Sequence, residues 1–373
     1  MQTKTQTKTE NPSFLSQQLI TYIGNKRALL PFIGTALDEV RRRLGKDKLI
    51  AADIFAGSGV VSRYLKAYSS VLYANDLEGY AQRVNQCYLA NREQVDMNRL
   101  SRFFEKTTER LSKEPLCAGF ITELYSPQSD RDIKSGERVF YTRRNAMYID
   151  TARQLLEEVP EPFRTYLLGP LLCEASVHTN TSGVFKGFYK SKHTGIGKFG
   201  GDGQNALSRI MGDIELKLPV FSEFSCETHV TRRDANELAG ELPEMDLAYI
   251  DPPYNEHPYG SNYFMLNLIN DYERPADVST VSGIPKGWNR SRYNRRREAL
   301  AAMQQLCTDL KASHLLISFS DEGFISKEDM VEMLEKLGDV CVLDKEYNTF
   351  RGSRNLSARD IHVREYLYLV EKR

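Results

Sequence analysis

The sequence carries no net charge and contains no long apolar run. Its 373 residues include 50 lysines and arginines against 50 aspartates and glutamates. A polyanionic partner would therefore have to be bound by a local basic surface, because the overall field attracts none. No segment is apolar enough for a signal peptide or a membrane span, so we expect a protein that works in the cytoplasm without a membrane partner.

The cysteines do not form a C-x-x-C pair anywhere in the chain. They are Cys87, Cys117, Cys173, Cys226, Cys307 and Cys341. This spacing argues against a zinc ribbon and a disulfide scaffold, and it indicates a reducing compartment. We expect no metal site.

Short apolar runs that end in polar residues recur along the chain. Strands are predicted in "LIAADIF", "SVLYAND", "THVTRRD", "DLAYIDPPY", "HLLISFS" and "REYLYLVEKR", with helical spacing between several of them, as in "RREALAAMQQLCTDLKA". This alternation predicts an α/β fold with a doubly wound, mainly parallel, Rossmann-like sheet. Ligands of such sheets bind at the carboxyl ends of the strands.

Two parts of the chain depart from the alternation. Residues 1–13 are polar, and we predict a loose tail there. Residues 82–225 are rich in helical patterns and are broken by the basic, glycine-rich "YKSKHTGIGKFGGDGQ". We predict that 82–225 is an inserted, largely helical domain and that 14–81 and 226–373 form the core.

A glycine turn follows the first predicted strand. In "DIFAGSG", Gly57 and Gly59 allow a sharp turn and close approach of a ligand. Ser62 stands where a dinucleotide fingerprint has its third glycine, which disfavours a nucleotide-dependent oxidoreductase. Asp76 ends the next strand and could accept hydrogen bonds from both hydroxyls of a ribose, or else cap a helix. Together these residues indicate a nucleoside site.

Two further polar residues have open roles. Asp234 follows a third strand and could accept a hydrogen bond from an exocyclic amine, or cap a helix. Lys26, in "TYIGNKRALLPFI", precedes an amphipathic helix, where a lysine is ordinarily solvated. Position alone assigns neither residue to a site.

The stretch "YIDPPYN" places Asp251, Pro252, Pro253 and Tyr254 at the end of an apolar run. The Asp251 carboxylate and the Pro252 carbonyl are acceptors, and prolines lack donors. Two acceptors suit an aromatic amine, whose lone pair they would direct toward an electrophile, and Tyr254 could stack on the ring. A base inside a duplex cannot reach such a pocket unless it is flipped out. Beside a nucleoside site, the electrophile indicated is S-adenosylmethionine.

In that order, "YIGNKR", "DIFAGSG", "YAND" and "YIDPPYN" resemble the motifs of the alpha-group, Dam-type adenine-N6 DNA methyltransferases. The stretches "YGSNYFMLNLI", "VFYTRRNAMYID" and "HTNTSGVFKGFYK" are similar to the methylase portions of FokI-like modification enzymes. The resemblance spans roughly residues 20–370. It implies methyl transfer from S-adenosylmethionine to adenine in double-stranded DNA, by a bacterial or phage enzyme that is orphan or has a cognate restriction endonuclease.

The resemblance also assigns residues. It implies that Tyr22, where Dam itself has a tryptophan, and Lys26 contact the cofactor, and that Asp76 takes the ribose hydroxyls. The predicted cofactor-binding residues are Tyr22, Lys26, Asp53, Phe55, Gly57, Gly59, Asp76, Asp234 and Asp251. The predicted catalytic residues are Asp251, Pro252, Pro253 and Tyr254.

Two basic stretches are candidate DNA contacts. In the inserted segment, lysines alternate with aromatics, a mixture that suits phosphates and bases; the lysines are Lys186, Lys190, Lys192 and Lys198, and the aromatics are Phe185, Phe188, Tyr189 and Phe199. A second stretch, "NRSRYNRRRE", offers Arg290, Arg292, Arg295, Arg296 and Arg297, of which we predict contacts for Arg292, Arg295 and Arg296. Either stretch could instead be solvated. Tyr263 and Phe264 could wall a flipped-base pocket or belong to the core.

Two other functions stay open. An RNA adenine-N6 methyltransferase would need the same acceptor pair, but the FokI-like stretches disfavour it. A catalytically dead, DNA-binding methylase fold would have no need for an acceptor pair at a strand end.

Overall fold

The computed structural model describes residues 10–204, 206–348 and 362–373. Within these residues, seven strands form one sheet in the order β3-β2-β1-β4-β5-β7-β6. The strands are β1 (Leu49–Asp53), β2 (Ser69–Asp76), β3 (Glu227–Arg232), β4 (Met245–Ile250), β5 (Ala312–Ser320), β6 (Gly338–Asn348) and β7 (His362–Lys372). The first five in spatial order are parallel, and β7 runs antiparallel to β5 and β6. The predicted mainly parallel α/β fold is confirmed; β6 was not predicted.

Helices cover both faces of the sheet. They are α1 (Pro12–Ser16), α2 (Leu30–Leu44), α3 (Val60–Lys66), α4 (Gly79–Tyr88), α5 (Met97–Lys113), α6 (Phe120–Tyr125), α7 (Arg143–Leu156), α8 (Phe163–Val177), α9 (Leu207–Met211), α10 (Ala235–Ala239), α11 (Tyr259–Asn262), α12 (Phe264–Asp271), α13 (Arg296–Asp309) and α14 (Lys327–Glu335). Short 3-10 helices lie at Lys26–Leu29, Arg92–Gln94 and Arg292–Asn294.

Strand β4 shows why the central strands read as continuous apolar runs. All six of its residues are buried, since it has a strand on each side and helices on each face. Leu247 and Tyr249 pack in one core with residues of α2 and α3. Ala248 and Ile250 point the other way and pack with residues of α10, α13 and α14. The run ends at the sheet edge, where the next residue is Asp251.

A third core joins the helical segment to the sheet domain. Residues of α5 to α8 pack in it with residues of α4 and α12. Because α4 spans Gly79–Tyr88, the predicted start of the insertion at residue 82 lies inside a helix. The role of residues 82–225 in target recognition stays a prediction.

The first described residues contact the rest of the chain. Glu10 accepts hydrogen bonds from the Ser222 hydroxyl and the Glu223 amide, and Asn11 caps α1. The structure therefore places Glu10 of the predicted tail against the chain and residues 12 and 13 at the start of α1, while 1–9 lie outside the described residues. Nowhere in the described ranges is a helix both long and apolar enough to cross a bilayer.

Candidate active site

The carboxyl ends of β1, β2 and β4 open into a cavity of about 900 Å³, a volume that includes its open mouth. This size suits a small-molecule or cofactor ligand. Of the predicted cofactor-binding residues, eight line it: Tyr22, Lys26, Asp53, Phe55, Gly57, Asp76, Asp234 and Asp251. The structure thus brings together residues separated by more than two hundred positions in sequence.

The two glycines of the turn have different roles. Gly57 has a φ of 51°, and a Cβ there would lie 2.9 Å from the Tyr22 ring, so the turn and the ring fit only without a side chain. Gly59, with a φ of 77°, precedes α3 and is not among the cavity-lining residues. A Cβ on Gly59 would lie 2.6 Å from Asn85 Oδ1. Gly59 therefore starts the helix and admits the Asn85 side chain.

Asp76 joins the glycine turn to the second strand. Its Oδ2 accepts a hydrogen bond from Gly57 N at 2.8 Å, and its Oδ1 accepts one from Glu78 N at 2.9 Å. Burial raises the pKa of Asp76 to about 6, although these amides favour the ionised form. The residue that precedes α4 as its cap is Glu78, so Asp76 does not cap that helix.

Asp53 lies at the end of β1 and is buried. Its Oδ2 accepts a hydrogen bond from the Ser62 hydroxyl at 2.6 Å. Its Oδ1 is buried without a hydrogen-bond partner among the described residues. Burial raises the pKa of Asp53 to about 7. A buried acceptor with no partner costs stability, so a ligand donor in the cavity would relieve it.

Asp234 lines the cavity and also caps a helix. Its carboxylate accepts hydrogen bonds from the Asn236 and Glu237 amides at the start of α10. Both roles considered from the sequence are therefore compatible with its position.

Lys26 is buried, whereas its position in the sequence indicated a solvated lysine. Its Nζ lies 3.2 Å from Asp251 Oδ1 and 2.7 Å from Glu365 Oε1. Burial opposes the charge, but the two carboxylates outweigh it and raise the pKa of Lys26 above its ordinary value. The ammonium is therefore charged, and it holds one oxygen of Asp251.

The four residues of the DPPY stretch occupy different positions. Asp251 and Pro253 line the cavity, and the Asp251 side chain is 18% exposed. Pro252 is buried behind them. Tyr254 is not a lining residue; its ring packs edge-on against Phe319 at 6.0 Å between centroids, and Lys26 Nζ lies 5.8 Å from its ring.

Three tyrosines form a stack beside the cavity. The Tyr22 ring is stacked on Tyr259 at 5.0 Å and on Tyr263 at 4.8 Å between centroids. Tyr263 and Phe264 are buried in the core, and neither lines this cavity. Tyr259 lines the cavity and was missed by sequence reasoning.

Glu78 is a second missed residue. It lines the cavity, is 3% exposed, and accepts hydrogen bonds from the side-chain amides of Asn267 and Asn289. Burial raises the pKa of Glu78 to about 7. Its position two residues after Asp76 was the available signal.

The lysines at 186–198 lie on the surface, but the aromatics between them do not all do so. Phe185 and Phe188 are buried in the core, so the prediction that they pack against bases is wrong. Lys192 and Lys198 both pair with Asp202, at 2.6 and 2.8 Å, while Lys190 lies over the Phe188 ring at 5.0 Å. Lys186 Nζ is 3.3 Å from Nδ1 of His257, which follows the DPPY stretch.

The arginine stretch begins at the cavity and leads away from it. Ser291, Tyr293 and Asn294 line the cavity. The flanking arginines make weak local contacts: Arg290 stacks on Trp288, Arg292 donates to Gln305, Arg295 pairs with Glu298 and Arg296 lies over Phe324. Residues 186–198 and 290–297 are called the basic segments below.

The fold and this cavity define the class of protein. A mainly parallel sheet, a glycine turn with an acid after the next strand, and an acceptor at the end of β4 are the features of a methyltransferase that acts on an amine. Residues 22–333 match the family of D12 class N6 adenine-specific DNA methyltransferases. The chain belongs to this family.

Named relatives agree with this assignment. The chain is 31% identical over 361 residues to the type II methyltransferase M.CviAII of Paramecium bursaria Chlorella virus 1, covering 94% of this chain and 98% of that protein. It is 27% identical over 367 residues to M.NlaIII of Neisseria lactamica, covering 95% and 99%. It is 25% identical to M.FokI of Planomicrobium okeanokoites over 94% of this chain but only 52% of that enzyme.

The protein is therefore a DNA methyltransferase of the adenine-N6 class, and the predicted family is confirmed. Membership decides against the oxidoreductase and the inactive binding module, and it makes DNA the substrate in place of RNA.

Proposed function

We propose that the enzyme binds S-adenosylmethionine in the cavity and methylates the N6 amine of an adenine flipped out of double-stranded DNA. The observation that carries this is the state of Asp251 at the cavity edge. Lys26 contacts Oδ1, whereas Oδ2 makes no hydrogen bond within the described part of the chain. Oδ2 is thus a free acceptor beside a buried cation.

The cavity residues suit this cofactor. Asp53 offers an acceptor without a partner, and Asp76 and Glu78 lie beside it, so donors such as ribose hydroxyls and a positive charge are favoured. The missing side chain of Gly57 leaves room between the turn and Tyr22. When bound, S-adenosylmethionine supplies an electrophilic methyl group and a positive charge.

The residues of the chain orient the amine. Asp251 Oδ2 and the Pro252 carbonyl accept its two N–H groups, which directs the nitrogen lone pair toward the methyl group. The Lys26 ammonium favours the ionised form of Asp251, against the effect of burial, and contacts its Oδ1. A strong base is not required, because the methylated ammonium is acidic enough to lose a proton to water or to a weak acceptor.

The DNA would be held by the basic segments and by residues 82–225. The proposed phosphate contacts are Lys186, Lys190, Lys192, Lys198, Arg292, Arg295 and Arg296, since these are cations at the surface whose contacts phosphates could replace. The lysine stretch reaches His257 next to the DPPY residues, and the arginine stretch begins at the cavity. These two positions support contacts of both segments with the DNA around a flipped base.

The biological role proposed is modification in a restriction–modification system. Several relatives carry the names type II methyltransferase or modification methylase. We infer that the enzyme acts in the cytoplasm of a bacterium or of a phage-infected cell. It works either with a cognate endonuclease or, as an orphan methylase, without one.

The test is expression of the wild type and Asp251→Ala in a methylation-deficient bacterium, with genome-wide mapping of N6-methyladenine by single-molecule sequencing. We expect one recurrent methylated sequence in the wild type and none in the variant. Asp339→Ala, an exposed acid paired with Arg373, is the matched control and should methylate normally. Methylation that survives in Asp251→Ala would show that the acceptor lies elsewhere.

A further inference from the structure

Glu365 is a buried carboxylate that no motif of the sequence singled out. It lies on β7, opposite Ser320 of β5, and its side chain is inaccessible to solvent. Because β7 runs antiparallel to its neighbours, its early residues lie at the edge where the parallel strands end. Glu365 Oε1 accepts hydrogen bonds from Lys26 Nζ, at 2.7 Å, and from the Ser318 hydroxyl.

Glu365 holds Lys26 more closely than Asp251 does. The two contacts of Lys26 Nζ are 2.7 Å to Glu365 and 3.2 Å to Asp251. A lysine ammonium sits on a flexible four-carbon stem and has no fixed geometry of its own. A second carboxylate, fixed in a strand, therefore determines where the ammonium lies beside Asp251.

We propose that Glu365 is a positioning residue for methyl transfer: it fixes Lys26, and Lys26 in turn holds Oδ1 of Asp251 so that Oδ2 faces the amine. This inference rests on the role proposed above for Asp251. Glu365 itself touches neither the amine nor the cofactor in this scheme.

The charges around Asp251 allow the positioning role of Glu365 to be tested through the pKa of Asp251. Burial raises the pKa of Asp251, the Lys26 ammonium lowers it, and the negative charge of Glu365 raises it again. Among the described residues, the titratable groups that interact with Asp251 include Lys26, Asp53, Tyr249, Tyr259 and Glu365, and Tyr254 lies next to Lys26. Removing the charge of Glu365 should lower the pKa of Asp251.

The experiment compares full-length wild type with Glu365→Gln, Glu365→Ala and Asp251→Ala. Single-turnover methylation of genomic DNA from a methylation-deficient bacterium is followed with radiolabelled S-adenosylmethionine across pH 5 to 9. Cofactor binding is measured by calorimetry, and folding by circular dichroism. Glu371→Gln is the matched control, because Glu371 lies on the same strand but is half exposed and pairs with Arg43.

Glu365→Ala should lower the single-turnover rate by roughly 100-fold, the size expected when a reacting group is misplaced, with little change in cofactor affinity. Glu365→Gln keeps the shape and should lose less rate. The acidic limb of the pH–rate profile of Glu365→Gln should move to lower pH, because Asp251 then stays ionised at lower pH. Glu371→Gln should match the wild type in rate and in pH profile.

The outcomes separate the two proposals. If Asp251→Ala is active, the proposed role of Asp251 fails and this inference falls with it. If Asp251→Ala is inactive while both Glu365 variants keep the wild-type rate, only the inference about Glu365 is overturned. Should Glu365→Ala not fold, Glu365→Gln decides: a folded glutamine variant with an unmoved acidic limb also overturns it.

Discussion

The acids that line the cavity and the cations of the basic segments differ in charge and in burial. Asp53, Asp76 and Glu78 are buried together, and burial raises each pKa to between about 6 and 7. The basic segments lie largely on the surface, and their cations pair with local acids such as Asp202 and Glu298 or lie over aromatic rings.

This difference in burial determines how strongly each region indicates the kind of ligand that it binds. Burying several acids together is costly unless a ligand or a proton compensates them, so these acids favour a cationic, donor-rich ligand. A solvated cation costs almost nothing without a partner, so the basic segments are compatible with DNA but do not require it.

The largest effect is expected for Asp76→Asn, which tests whether the buried acids of the cavity bind the ligand. The amide oxygen can still accept from Gly57 N, but it accepts ligand hydroxyls without a negative charge. We expect the affinity for S-adenosylmethionine, measured by calorimetry, to fall by roughly 100-fold, the equivalent of about 2 to 3 kcal/mol. Asp47→Asn, a fully exposed acid, is the control. Unchanged affinity in Asp76→Asn would mean that the buried acids are structural, and the contrast would fail.

A second prediction sharpens the contrast through pH. The pKa of Glu78 is about 7 in the folded protein, above its unfolded value, so the folded state binds more protons between these values and loses stability as pH rises through this range. Glu78→Gln lacks this loss. The free energy of unfolding of Glu78→Gln minus that of wild type should therefore increase by about 2 kcal/mol from pH 5 to pH 7 without cofactor.

Urea denaturation at the two pH values measures this gain. Glu241→Gln, an exposed acid paired with Arg233, should show no comparable gain with pH. An equal stability difference at pH 5 and pH 7 for Glu78→Gln would show that Glu78 is not a protonated acid in the empty cavity.

The smallest effect is expected on the surface. Replacing Arg295 and Arg296 by alanine should weaken binding to duplex DNA by several-fold and reduce the salt dependence by about one to two phosphate contacts. Fluorescence anisotropy at several salt concentrations measures both quantities. Lys113→Ala with Lys336→Ala removes two surface charges elsewhere and should leave binding unchanged. Equal losses in both double variants would remove the specific role of the arginine stretch.

The strand ends were the most predictable part of the site. Asp53, Asp76 and Asp251 each follow an apolar run, and parallel strands bring their carboxyl ends to one edge. Sequence reasoning missed Glu78 and Tyr259, which lie just beyond the recognised motifs. It also included Phe185 and Phe188 among the candidate DNA contacts, because a basic, glycine-rich stretch does not show which of its aromatics a distant core will bury.

The sequence alone determined the fold class, the family and the chemical groups at the strand ends, since these follow from local periodicity and short motifs. Only the tertiary structure decided which charges are buried and paired. The local position of Lys26 indicated a solvated lysine, and its resemblance to a motif indicated a cofactor contact. In the structure its ammonium lies 2.7 Å from a carboxylate 339 positions away, on an antiparallel strand. Ion pairs of this kind depend on long-range packing, so they cannot be predicted from local sequence.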